Sequence, residues 1–373
     1  ALGGFAAGCG GGDDGSGPVK VAATTTQVAD FVERVGGDRV EVTGILKPNT
    51  DPHEYEPRPS DVEAVAQAKL VFRSGGHLDE WADQLVEDSG SDATIVDLSA
   101  DLPVVLQGGE HDHDHGDEGH DDHAGDDHAE DHAEEGHAED HAGEDDHGHE
   151  AHAEEEHAEA GHAEDEHADE HAGEEPPADE HDHEGEETDP HWWHDPVNAI
   201  AAVGEIEGAL AEADPEGAGG FERNAAEYVA ETKRLQRQIA RCVDSVPPAE
   251  RKIVTDHDAF GYFTNRFGIE TVGTVIPALT TQAQPSAGDL AELEETIREE
   301  KVKAIFPESS VSPKLAEALA RDTGVSTEYT LYGDTLGPEG SDGATWVEMM
   351  QSNADNIVRG MTGGKRGCQL DAS

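Results

Sequence analysis

Histidine and carboxylate side chains are the chain's main chemical resource, and they fall into two arrangements. Of 23 histidines, 18 lie in residues 110–188, together with 36 of the 86 acidic residues and no Lys or Arg. The other five are His53, His77, His191, His194 and His257. Three of these sit in segments with adjacent carboxylates, two of them also with proline: Asp51-Pro52-His53-Glu54-Tyr55, Asp189-Pro190-His191-Trp192-Trp193-His194-Asp195-Pro196 and Asp256-His257-Asp258-Ala259-Phe260-Gly261-Tyr262. Neutral imidazole suits a borderline cation such as Zn²⁺. A nearby carboxylate orients the ring through its second nitrogen and raises its basicity. The pattern points to metal binding. A lone loop histidine is usually just a solvated side chain, and His77 is read that way; His194, beside His191, offers a substitute ligand but is read as pointing elsewhere. The repetition of Asp-Pro-His and the histidine-rich block set the other three apart.

Two kinds of segment must carry these residues. Short β-prone runs, Lys20–Thr26, Val40–Leu46, Leu70–Phe72 and Ala93–Leu98, alternate with helical patterns over Gln27–Val35 and Val62–Ala68, the latter with Ser60 as its N-cap. Pro103–Leu106 continues that half. After Pro196 come helices over Val197–Ala213 and Phe221–Val243. Strand and helix then alternate again: Lys252–Val254, Ala259–Phe267, Thr271–Ile276, Gly288–Glu300, Ala304–Phe306, Pro313–Thr323, Glu328–Leu331 and Ala344–Met361. Alternation of this kind implies βαβ units and parallel sheets. The expected fold is α/β: two lobes, each with a mostly parallel sheet flanked by helices, joined by one long rigid helix. The boundaries are 1–17 for a flexible leader, 18–215 for the N-terminal lobe, 216–247 for the connecting helix and 248–373 for the C-terminal lobe. The candidate histidines fall where strands or loops give way to helices, the ligand-binding edge of α/β lobes. Residues 108–188 interrupt the first lobe. The block 110–188 has no Leu, Ile, Val or Phe to bury, so it is expected to stay unfolded without ligand. Its histidines, among them His111, His113, His115, His120, His123, His147 and His149, form a candidate accessory metal collector.

Charge narrows the partners. Outside the block, 50 acidic residues still face 23 basic ones. Such a surface repels nucleic acid and anionic lipid and attracts cations. It also hints at a salty habitat, where screening makes dense negative charge tolerable. No run of 18 apolar residues occurs, so no segment reads as a membrane span. Ala6-Ala7-Gly8-Cys9, followed by a Gly/Asp/Ser-rich stretch, resembles the end of a bacterial lipoprotein signal, with Cys9 as lipid anchor. An extracytoplasmic location would permit a disulfide between Cys242 and Cys368, which have no second Cys or His close by to suggest a zinc site.

Taken together, these segments resemble the zinc- and manganese-type metal-binding proteins of ABC uptake transporters, the cluster A-I solute-binding family. The resemblance rests on Ala23-Thr24-Thr25-Thr26, Val35-Gly36-Gly37-Asp38, Asp51–Pro57 with Pro59-Ser60-Asp61, Asp189–Trp192 with Asp195-Pro196, His257–Tyr262, and Tyr332-Gly333-Asp334-Thr335. It implies a metal site of His53, His191, His257 and Asp334, with Glu308 or water as alternatives for the fourth ligand. A histidine at position 257, where manganese-type members carry a carboxylate, favours Zn²⁺ over Mn²⁺ or Fe²⁺. The implied partners are a permease and its ATPase subunit, with the chain itself a monomer held at the membrane only by its anchor. Metal storage or adhesion is the competing non-enzymatic reading. A zinc hydrolase is disfavoured: the chain has no His-Glu-x-x-His, and a fourth protein ligand would close the shell that catalysis keeps open. Ligation requires deprotonated histidines, so metal binding is expected to fail below about pH 6.

Overall fold

The structure, a computed structural model, describes residues 17–108 and 188–370. The first lobe alternates β1 (Val19–Ala23), α1 (Thr26–Gly36), β2 (Val40–Gly44), α2 (Pro59–Gln67), β3 (Leu70–Arg73), α3 (Trp81–Ser89) and β4 (Thr94–Asp97). Its four strands pair in parallel in the order β2-β1-β3-β4. Two helices follow, α4 (Pro196–Ala213) and α5 (Ala218–Asp244). The second lobe runs β5 (Lys252–Thr255), α6 (Gly261–Phe267), β6 (Glu270–Thr274), α7 (Ala287–Glu299), β7 (Ile305–Phe306), α8 (Lys314–Thr323) and α9 (Trp346–Thr362). Its parallel sheet has the order β6-β5-β7.

Helix α5 is the spine. Its 27 residues span about 40 Å at 1.5 Å per residue. Phe221, Ala225, Tyr228, Thr232, Leu235, Ile239 and Val243 recur every three or four positions and form one buried stripe. That stripe belongs to a single apolar cluster that also holds Val21 and Phe72 of the first lobe and Ile253 and Phe306 of the second. The two sheets therefore share this core on one face, while each keeps a smaller cluster of its own on the other, around Val65 and Val71 in the first lobe and Val254 and Ile305 in the second. Phe31 of α1 sits at its centre, with ring centroids 6.3 Å from Trp192, 6.1 Å from Tyr228 and 5.6 Å from Trp346. Opening the lobes widely would expose this aromatic surface to water, which opposes a large hinge motion.

Local chemistry corrects three expectations. Helix α2 starts at Pro59 with Arg58 as N-cap, so Ser60 lies inside it. Asp61 decides this: its carboxylate accepts from the Arg58 backbone N–H at 2.7 Å and from the Tyr55 hydroxyl at 2.6 Å. Pro103–Leu106 is not a strand. The Asn198 side chain accepts from the Val104 N–H (3.1 Å) and donates to its carbonyl (2.9 Å), using the groups a ladder would need. Only the bridge Gln107–Thr188 forms beyond it. Glu328–Leu331 likewise makes a single isolated bridge among the described residues, Glu308–Leu331, instead of a strand, and another bridge, Ala304–Ser326, lies just before it. There Asn353 holds both backbone groups of Tyr332 and Asn356 the carbonyl of Thr330. Cys9 and the histidine-rich block, including His111, His113, His115, His120, His123, His147 and His149, lie outside the described residues.

Cys242 and Cys368 form a disulfide with Cα atoms 5.5 Å apart, tying the segment after α9 to the last turn of α5. The bridge closes a loop of 126 residues, so replacing both cysteines by Ser should cost about 2–4 kcal/mol. Denaturant titration under oxidising conditions checks this; an unchanged midpoint would contradict it.

Candidate metal centre

Every candidate ligand sits on a segment leaving the carboxyl end of a strand or leading into a helix. His53 lies in the loop between β2 and α2, and His257 between β5 and α6. His191 immediately precedes a 3₁₀ turn, Trp192–His194, that feeds α4. Asp334 lies in the loop before α9. The fold brings all four together: one ligand atom from each falls within 4.8 Å of the others. Asp334 Oδ1 is 3.8 Å from His53 Nε2, 3.3 Å from His191 Nε2 and 3.5 Å from His257 Nε2. The three Nε2 atoms and both Asp334 carboxylate oxygens are buried without hydrogen-bond partners. Uncompensated polar atoms facing one another in a protein interior are costly unless something fills the space between them.

The rings are aimed from behind. Asp189 Oδ1 contacts His191 Nδ1 at 2.8 Å and accepts the His191 backbone N–H at 2.9 Å. Glu308 Oε1 does the same for His257, at 2.8 Å to Nδ1 and 3.1 Å to the backbone nitrogen. With Nδ1–H donated to a carboxylate, each Nε2 presents its lone pair to the centre. Glu308 thus lies behind His257, and the group that could hold a metal ion consists of the three histidines and Asp334. Sequence neighbours suggested Asp256 or Asp258 as the orienting group for His257. Asp256 instead accepts the Glu308 backbone N–H at 2.8 Å, one step further out. The signal for Glu308 was its place just beyond a buried strand, which showed proximity but not role. Gly333 is required by the close fit: a Cβ there would meet Glu308 Oε2 at 2.0 Å.

Neither remaining histidine joins the set. His77 is exposed and pairs with Glu80. His194 is buried, contacts the Gly333 carbonyl through Nε2 at 3.1 Å and packs against Phe260. Burial, then repulsion from His191, lowers its pKa to about 3, so it is a neutral donor. Trp193 Nε1 donates to the same carbonyl at 3.1 Å. Sequence reasoning missed this double grip on the residue before Asp334.

Electrostatics reinforce the geometry. Burial pushes Asp334 up, but His257, His191 and His53 together hold it well below the usual carboxylate range. Burial disfavours charge on His191, yet Asp189 and Asp334 outweigh it and raise the pKa to about 9. His257 is raised well above its ordinary value against the same burial, by Glu308 and Asp334. The site is built to hold positive charge, delivered by protons when no metal is present.

Residues 21–360 match the family described as ZnuA, zinc-uptake complex component A, periplasmic. The chain belongs to this family. Similar proteins include the manganese-binding lipoproteins MntA of Halalkalibacterium halodurans (27% identical, covering 96% of this chain and 95% of that protein) and of Bacillus subtilis (26%, 92% and 90%). Among solved structures, the periplasmic zinc-binding protein TroA from Treponema pallidum superposes with a TM-score of 0.67 at 23% identity, covering 92% of this chain and 99% of that one. A Mn-bound periplasmic metal-binding protein from Candidatus Liberibacter asiaticus gives 0.65 at 19%, covering 91% and 98%. The two-lobed α/β architecture is thus that of the ZnuA family. The chain is accordingly a metal-binding solute-binding protein of ABC importers and not an enzyme. None of the described helices is long and apolar enough to cross a membrane.

The raised histidine sets a pH window for the metal-free protein. His191 favours its proton more when folded than when unfolded, so its contribution is fully present below about pH 6.5 and is lost as pH rises through about 9. His194, shifted the other way, is neutral in the folded protein throughout that window and half-protonated in the unfolded chain at its lower edge, which offsets about 0.4 kcal/mol there. Chelator-treated protein should therefore be about 2–3 kcal/mol less stable at pH 9 than at pH 6.5 from His191 alone, with the raised His257 acting in the same direction. Equal stability at both pH values, by denaturant titration, would contradict this. The same shift means that protons compete with metal at His191 well above the pH 6 expected from an ordinary imidazole.

Proposed function

We propose that the protein captures one Zn²⁺ ion outside the cytoplasmic membrane, between His53, His191, His257 and Asp334, and passes it to the permease of an ABC importer driven by a separate ATPase subunit. One observation carries the reading: three imidazole Nε2 atoms face one carboxylate oxygen at 3.3–3.8 Å. A tetrahedral ion with bonds of about 2.0–2.1 Å needs ligand atoms roughly 3.3–3.4 Å apart, which the distances to Asp334 approach, while the whole set, spread over up to 4.8 Å, would draw inward around the ion. Three nitrogens and one carboxylate also suit zinc better than manganese, which prefers more oxygen ligands.

A second reading, Mn²⁺, has its own support. The manganese-binding relatives align over nearly the whole chain, and Asp334 has both oxygens unpartnered, so a bidentate carboxylate could extend the shell beyond four. X-ray absorption of the loaded protein separates the two. Four ligands near 2.0–2.1 Å around zinc, with Mn²⁺ displaced by stoichiometric Zn²⁺, are expected. Tight manganese retained against equimolar zinc would sink the zinc reading.

In this reading Cys9 carries a lipid anchor, the protein acts as a monomer, and the histidine-rich block is a weak collector of several ions. High negative charge and many imidazoles raise the local cation concentration without forming one rigid site. Calorimetric titration is expected to find one tight Zn²⁺ that survives deletion of residues 110–188. That ion should be lost, by at least about 100-fold in affinity, in His53→Ala combined with His257→Ala. Loss of all tight binding on deleting the block would instead place the function there.

A further inference from the structure

The four ligands are held very unequally. His191, His257 and Asp334 have fully buried side chains, whereas that of His53 is 8% exposed. The buried three form a locked unit. The Gly333 carbonyl, next to Asp334, receives Trp193 Nε1 and His194 Nε2, the two residues that follow His191. Trp346 Nε1 then donates to the Trp193 carbonyl at 2.9 Å. Asp189 and Glu308 each grip both the ring and the main chain of their histidine. Separating any of these would break buried hydrogen bonds within the aromatic core.

His53 is held differently. It lies on an irregular loop between β2 and α2, in which Asn49 takes a left-handed conformation (φ 60°) and donates its N–H to Thr335 Oγ1 at 3.1 Å. Asp51 Oδ1 accepts the His53 N–H at 2.9 Å, and its other oxygen accepts the Thr281 hydroxyl at 2.6 Å. The Gln282 side-chain amide donates to the His53 carbonyl. Thr281 and Gln282 come from the segment without helix or strand between β6 and α7, in the opposite lobe. These bonds are partly exposed, so each breaks more readily than the buried bonds that hold the other three ligands.

We propose that the ion enters and leaves past His53, and that Thr281 and Gln282 are positioning residues that hold His53 over the site and set the release rate. This rests on the four-residue metal site above. The three locked ligands remain as they are, and Ile45, Leu46 and Asn49 keep the base of the loop on Ala23, Thr24 and Thr335, so release needs only the part around Asp51 and His53 to swing off Thr281 and Gln282.

The test uses the full chain loaded with Zn²⁺ and mixed rapidly with excess chelator. Tryptophan fluorescence reports, since Trp193 lies 5.5 Å from His191, and none of the four tryptophans, Trp81, Trp192, Trp193 and Trp346, falls in the histidine-rich block. Thr281→Val with Gln282→Ala should speed release by roughly 10–100-fold, the range expected from two lost hydrogen bonds, without lowering the unfolding midpoint of the metal-free chain. Thr281→Ser with Gln282 intact keeps both donors and should release at the wild-type rate. Wild-type release rates in the double variant, with one tight ion still bound, would overturn the role of Thr281 and Gln282. An unchanged tight ion in His53→Ala would instead overturn the four-residue site itself.

Discussion

A buried carboxylate encircled by imidazoles organises this molecule. Asp334 is fully enclosed, and its negative charge would be very costly there without compensation. The compensation comes from His53, His191 and His257, which belong to three other segments of the chain. A cation between them, metal or proton, is therefore part of the electrostatic balance of the fold. The same balance explains why Asp334 is held acidic while His191 and His257 are held basic.

Around this centre the structure is arranged as nested supports. Asp189 and Glu308 fix the rings, Asp256 fixes Glu308, and the Trp193–His194 pair fixes the backbone of Gly333. Outside these, Phe31, Tyr228 and Trp346 weld both lobes to α5. A shared core of this kind confines motion to loops at the cleft rather than to the lobes as bodies. An ion carrier needs to retain its cargo and still yield it, and a rigid three-ligand cradle with one loosely held arm provides both.

Much of this was legible in the sequence, for identifiable reasons. The alternation of short apolar strands with amphipathic helices follows from backbone periodicity, and the α5 stripe reads directly from Phe221 to Val243. The three candidate histidines stood out because histidine beside carboxylate is chemically distinctive, whereas Asp334 entered only through the family resemblance. What failed was decided by long-range side-chain contacts. Asn198, Asn353 and Asn356 capture backbone groups that would otherwise build strands, and nothing near Pro103 or Glu328 announces it. Asp61 moved the start of α2 away from Ser60 for a similar reason. Glu308 as the partner of His257 spans 51 positions, and Gln282 reaches His53 across 229. Spacing alone cannot reveal partners that only the folded chain brings together.

The most direct test of the central claim is a crystal structure of the zinc-loaded protein, with the ion located by anomalous scattering. The account predicts one strong peak at about 2.0–2.2 Å from Nε2 of His53, His191 and His257 and from a carboxylate oxygen of Asp334, with Glu308 still on His257 Nδ1. A peak ligated by Glu308 in place of Asp334, or no ordered ion in the cleft while zinc remains bound to the chain, would contradict it.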